Sequence, residues 1–373
     1  MLVERKCIDL TSLSFDGQEM PVEYVKGNIL WKNDEPYFQH IVREVEAQPQ
    51  PGLFLTPKVT GKYVRLRWAL NRHGILKSDV FYDSKGMIYR DIDAKGIGYH
   101  RGFPPRFLGI RFPEMESDMK MRGLLHYEVA EKDRFITEQE LHRGGLRTAR
   151  HVVHVELDEV VDMNGNVLSL EDAGERLEMN LVGIRPVQVR RAMGTTSRVQ
   201  NIIFCKESNN QAYVKESLDD AISLVSLELG QSLKPHDYIA WFAETHGAQI
   251  AKLHHKVGGW TDFMGQIHGG LHNVTLDCRL LDTYHFETPL AARLRDEELK
   301  KNVERDPKLA WLLEPRMTKE EAQANNEKGF VEDKCVNMRI TEWLAEGVDE
   351  IYPIGSLKSE VQERFEKAYK NAA

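Results

Sequence analysis

The feature that most constrains this chain is a change of periodicity along its length. Before about residue 210 the apolar residues come in short runs at strand spacing. Lys62–Ala69 (KYVRLRWA) alternates apolar and polar residues, the period of a half-buried strand. Val80–Tyr82, a turn at Asp83-Ser84-Lys85-Gly86, and Met87–Asp93 extend this into a meander. His151–Leu157, Val187–Arg191 and Ile202–Cys205 read as further strands, with a turn at Asp162-Met163-Asn164-Gly165-Asn166. One helix interrupts them. Leu124–Gly144 is rich in helix formers and stops at Gly144-Gly145. From Val214 the spacing becomes helical, first over Lys215–Leu229 and then over Tyr238–Val257. The remainder is mainly helical and highly charged, and Arg293–Glu321 has the look of a solvated or partner-binding face. A β-rich half followed by a helical half predicts an α+β, bilobal protein.

The run Gln48-Pro49-Gln50-Pro51-Gly52 reads as a linker. It predicts an N-terminal extension over 1–60, a β-rich lobe over 61–210 and a helical lobe over 211–373. The balance of charge is −8 among 373 residues, which does not suggest a basic nucleic-acid surface. No apolar run approaches the ~18 residues that a membrane-spanning helix needs. The start, MLVERKCIDL, lacks the apolar core of a secretion signal. Cys7, Cys205, Cys278 and Cys335 are far apart, with no C-x-x-C pair, so neither a disulfide framework nor a cysteine zinc site is expected. A reducing, cytoplasmic setting follows as the expectation.

Three short segments carry residues suited to phosphate chemistry. The densest runs from His268-Gly-Gly-Leu-His272-Asn273 to Asp282. Val274-Thr-Leu and Arg279-Leu-Leu read as two short strands turning at Asp277-Cys278, which returns Asp282 toward Asn273. An amide oxygen beside a carboxylate makes an oxygen cradle for Mg²⁺, with phosphates and water completing the octahedron. A loop Asn and a surface Asp of no function would carry the same letters. The second segment is Lys95-Gly96-Ile97-Gly98 at the end of a strand, where a Lys can reach phosphates and the glycines allow close backbone approach. The third is Arg190-Arg191-Ala-Met-Gly-Thr-Thr-Ser-Arg198, with two guanidinium forks, Arg191 and Arg198, that suit phosphate oxygens. A turn with a solvated Lys and a solvated basic loop are the plain alternatives. A helical zinc site is not expected, because H-E-x-x-H is absent and two glycines separate His268 from His272.

Together these segments resemble the protein-kinase-like fold, and most nearly the selenoprotein-O (YdiU) family of protein adenylyltransferases. Lys95-Gly-Ile-Gly98 resembles that family's K-G-[SA]-G. Gly145-Leu-Arg-Thr-Ala-Arg150 is similar to its L-G-[IV]-P-T-T-R. Arg191 to Arg198 resembles its R-V-A-x-S-x-x-R, with the same separation of the arginines. His268 to Asn273 resembles its H-G-x-x-N-x-D-N, and Asp282 stands at the spacing of the Asp in its D-Y-G. The likeness covers roughly residues 63–287. The sequence departs from the family at several points. His272 replaces the acidic residue before the Asn, Asp282-Thr-Tyr replaces D-Y-G, and two residues are missing between His268 and Asn273. The redox tail is lacking too.

The resemblance implies a β-rich N-lobe and a helical C-lobe with a metal-binding loop over 268–287. It implies ATP and Mg²⁺ as cofactors, with Mg²⁺ held by Asn273 and Asp282. Lys95, Gly96 and Gly98 would serve the nucleotide, as would Arg191 and Arg198 on its phosphates. A helix glutamate would pair with Lys95, and Glu131 and Glu138 both sit at suitable positions. His272 or His268 would take a hydroxyl proton as a neutral imidazole. The implied reaction is AMP transfer to a hydroxyl of a protein or peptide substrate. Phosphate transfer by a kinase and a nucleotide-binding pseudokinase scaffold are the alternatives. Neither a nucleic-acid nor a membrane partner is expected.

Overall fold

The computed structural model describes residues 18–66, 73–76, 80–98, 124–162, 164–177, 180–207, 211–261, 273–305, 319–355 and 357–373. Over these residues the protein is mixed α+β, strands dominating before Met193 and helices after it. Two compact units form. The first comprises residues 1–130, 149–197 and 201–233; the second comprises 131–148, 198–200 and 234–373. The helix Gln211–Leu229, expected to open the helical lobe, belongs to the first unit.

An eight-stranded antiparallel sheet organises the first unit. In chain order its strands are β1 (Gln18–Val25), β2 (Gly27–Lys32), β3 (Gly52–Leu55), β4 (Tyr63–Leu66) and β5 (His73–Leu76). A separate two-stranded ribbon follows, β6 (Phe81–Tyr82) and β7 (Ile88–Tyr89). The sheet then resumes with β8 (Asp91–Lys95) and β9 (Arg150–Leu157). A second small ribbon, β10 (Glu159–Val161) and β11 (Val167–Ser169), turns where Asp162 accepts the backbone N–H groups of Asn164 and Asn166. The last sheet strand is β12 (Val187–Met193), and the spatial order is β2-β9-β12-β8-β5-β4-β1-β3.

Residues 18–60 are therefore part of the sheet-bearing unit and not an extension, and residues 1–17 lie outside the described ones. β1, β2 and β3 pair within the main sheet, and Gln48–Gly52 only joins helix α1 (Gln39–Glu46) to β3. Burial explains the difference. Val22, Val25, Ile41, Val42, Val45, Leu53 and Leu55 are all buried, an apolar area too large for a free segment to leave in water. The alternation read over Lys62–Ala69 appears as β4, and residues 67–69 lie outside the described ones. Ile202–Cys205, expected as a strand, lies within the helix Val199–Glu207. A four-residue apolar run has no period of its own, and the flanking helix formers decide it.

The second unit is built on the helices Pro235–Lys252, Lys319–Ile351 and Lys358–Ala372. Pro235 occupies the first position of its helix, and Asp237 accepts the N–H of Lys234, closing the free end. A Cβ on Gly247 would stand 2.4 Å from the Phe365 carbonyl oxygen, so glycine is what lets these two helices touch backbone to backbone. Among the described residues no helix is long and apolar enough to cross a membrane.

Candidate functional site

The segment read as a returning hairpin is one. Val274 pairs antiparallel with Leu280, the Leu281 N–H donates to the Asn273 carbonyl at 2.9 Å, and the Thr275 N–H donates to Arg279 O at 3.0 Å. The turn is stapled by side chains. Asp277 accepts the Thr275 hydroxyl at 2.5 Å and Arg279 Nε at 2.7 Å, with Asp277 and Arg279 both fully buried. Cys278 and Asp282 both have left-handed backbones, φ 61° and 50°, in a chain where only one other described non-glycine does so. Such conformations persist only where surrounding structure holds them. The holding structure is the helix Pro235–Lys252. Tyr238 donates to Leu276 O at 2.7 Å and Gln249 donates to Cys278 O at 2.7 Å.

Arg198 joins this hairpin by backbone pairing with Thr275, and the Val199 N–H donates to Val274 O. Its guanidinium lies 3.6 Å from the Asp282 carboxylate. Three expected site residues, Arg198, Asn273 and Asp282, thus come together within the second unit, all of them buried. The Asn273 side-chain amide makes no hydrogen bond among the described residues. An amide and a carboxylate at positions that backbone pairing brings together are the ligand types that a hard, oxygen-seeking cation takes. No group of three or more His, Cys, Asp or Glu side chains among the described residues could hold a metal. Two protein ligands suffice for Mg²⁺ when phosphates and water supply the rest. His268 and His272 lie outside the described residues.

The helix expected over Leu124–Gly144 runs from Tyr127 to Phe135 and continues as a π-helical stretch over Ile136–Leu141. The wider turn rotates Glu138 away from the strict two-turn alignment with Glu131 that α-helical geometry alone gives. Glu131 holds Arg134 through two oxygens, at 3.1 and 2.5 Å. Glu138 is buried inside the π stretch. Between them, Asp133 accepts the Thr283 hydroxyl at 2.8 Å and the Tyr284 N–H at 3.2 Å, and Thr137 meets Thr283 at 2.8 Å. The helix is thereby tied to the turn that carries Asp282. Asp133, Thr137 and Thr283 were not singled out from the sequence, and only their contacts reveal them.

The remaining expected residues belong to the first unit. Lys95 ends β8, buried, with Val189 and His73 as its cross-strand neighbours. Gly96 and Gly98 have φ of 86° and 88°. A Cβ on Gly96 would stand 2.4 Å from Val187 O, and one on Gly98 would stand 2.3 Å from the Phe54 ring. The close approach that demands these glycines is to the protein's own chain. Arg191, on β12, donates from Nη2 to Asp93 at 2.6 Å, with both side chains buried. Its charge is answered by a carboxylate 98 positions earlier.

No model of a known protein family matches this chain, and no curated protein matches it either.

Proposed function

We propose that the chain is an ATP- and Mg²⁺-dependent transferase of protein-kinase-like, bilobal architecture that modifies a protein or peptide side chain. AMP transfer to a hydroxyl is the preferred reaction. The observation that carries the reading is the hairpin that places Asn273 and Asp282 together with Arg198 beside them. Asn273 and Asp282 would hold Mg²⁺, which would neutralise phosphate charge. Arg198 would bind phosphate oxygens. Arg191, which donates to Asp93, would share the phosphate clamp with Arg198, which itself lies 3.6 Å from Asp282. Lys95 is assigned to the nucleotide by the resemblance of its K-G-x-G segment, and Glu131 or Glu138 would pair with it. His272 or His268 would accept the proton of the attacking hydroxyl. Positioning and electrostatics would supply most of the rate.

AMP transfer is preferred to phosphate transfer because the Arg191–Arg198 spacing follows the adenylyltransferase pattern, and His268 stands where an ordinary kinase has its Asp. Incubation with Mg²⁺ and ATP labelled at either the α- or the γ-phosphorus tests this. Label from α only means AMP transfer, and label from γ only would replace it with a kinase. Asp282→Ala should abolish Mg²⁺-dependent nucleotide binding while leaving the far-ultraviolet circular dichroism unchanged. Wild-type binding in that variant would remove the metal role. ATP binding without label transfer to any acceptor would leave a pseudokinase scaffold.

A further inference from the structure

Arg190 and Arg191 are neighbours on β12, and strand alternation sends them to opposite faces of the sheet. Arg191 meets Asp93. Arg190 stands opposite Ala94 on β8 and Val153 on β9, both of which belong to apolar clusters packed with Phe54, Val25, Leu53 and Val64. Arg190 is 3% exposed. Among the described residues no acceptor reaches its guanidinium, and its Nε is shut from solvent without a hydrogen bond. Burial pulls its pKa below the ordinary arginine value, opposed by the charges of Glu44 and Tyr24. Glu44 itself is exposed on α1.

Two residues earlier on the same face is Gln188. Its Nε2 donates to Leu53 O at 2.7 Å, which fixes the amide's orientation and leaves Oε1 buried without a donor. Other buried arginines of this unit are answered. Arg90 bonds both Asp91 and Asp220, and those two carboxylates outweigh its burial and hold its pKa above the usual value. Native proteins seldom leave a buried guanidinium or amide oxygen unmet, because each forfeits the hydrogen bonds it made to water. The unmet groups here specify their complement: an anionic oxygen to accept from Arg190, and a hydroxyl to donate to Gln188.

We propose that Arg190 and Gln188 form a binding site for inorganic phosphate on the apolar side of the sheet. At neutral pH free phosphate carries both anionic oxygens and a P–OH group. Sulfate and phosphomonoester dianions have the charge without that hydroxyl. This site is separate from the nucleotide reading and does not depend on it.

Thermal unfolding of the full chain at pH 7 tests the assignment. Inorganic phosphate at about 20 mM should raise the unfolding midpoint by about 3 °C over chloride at equal ionic strength. Sulfate and glycerol phosphate should give less than half of that. Arg190→Met should lose the phosphate response, and Lys95→Met should keep it. Should Arg190→Met fail to fold, Gln188→Glu serves instead, since a carboxylate beside Arg190 supplies the missing charge and shuts phosphate out. No phosphate-specific rise in the wild type would overturn the proposal. So would a rise that Arg190→Met retains, or one that Lys95→Met abolishes. A sulfate response equal to that of phosphate would overturn the Gln188 contact and the choice of ligand.

Discussion

The two faces of β12 solve the same problem in opposite ways. On one, Arg191 is only 1% exposed and sits against Asp93, so its charge is compensated within the sheet. On the other, Arg190 is almost as deeply buried among apolar neighbours and makes no hydrogen bond or ion pair among the described residues, the charge of Glu44 offsetting its burial only in part. The sequence Arg190-Arg191 does not tell them apart. Burial alone therefore says little about an arginine's role. What matters is whether the fold supplies an acceptor, since a buried charge without one is retained only at a cost in stability.

This contrast can be broken most directly at Asp93. Asp93→Ala would take away the carboxylate to which the buried Arg191 donates, and should cost about 3–5 kcal/mol in urea unfolding. A loss under about 1 kcal/mol would mean that the pair contributes little and that the two faces differ less than their geometry suggests.

A third response to burial is to give up the charge, and His246 illustrates it. Fully buried, it is pulled down to about 4 by desolvation, against the raising effect of its Asn337 hydrogen bond at 2.9 Å. The unfolded chain takes up this proton near pH 6.5 and the folded chain only near 4. Between those values the unfolded state binds more protons, so stability falls as pH drops from about 6.5 to 4. The loss from this group should approach ~3 kcal/mol. His246→Gln should flatten the profile in that window, as measured by denaturant midpoints at several pH values. An unchanged profile would assign acid sensitivity to other groups.

Gly98 sharpens the comparison on the backbone side. With φ of 88° and the Phe54 ring in the path of any Cβ, Gly98→Ala should cost ~2 kcal/mol in urea unfolding. A cost near zero would return the glycine to the ligand-approach role that its motif suggests. The smallest effect belongs to Arg190→Met. In phosphate-free buffer its stability should fall within about 1 kcal/mol of wild type, because no internal partner is lost. A loss as large as that of Asp93→Ala would show that Arg190 has an acceptor after all.

Legibility in the sequence followed the range of the interaction. The Asn273–Asp282 hairpin was readable because its strands and turn lie within ten residues and its register follows from spacing. The helix after Leu124 was readable from its composition, but its π-helical end was not. No local pattern marks that stretch, and it carries Thr137, which meets Thr283 far along the chain. That residues 18–60 belong to the sheet is not legible, because Gln48–Gly52 looks the same between two domains as between a helix and a strand of one sheet.

By itself the sequence determined the α+β class, several of the strands and the three helices read near 124–144, 215–229 and 238–257, and the grouping of Asn273 with Asp282. These depend on periodicity and short spacing, which the chain carries locally. Tertiary structure alone decided that Arg191 has Asp93 while Arg190 has no such partner, that Gly98 faces Phe54, and that Asp133 grips the turn after Asp282. Each of these depends on which distant segment arrives opposite a given side chain. Sheet order and helix packing set that choice, and identical residue letters admit either outcome.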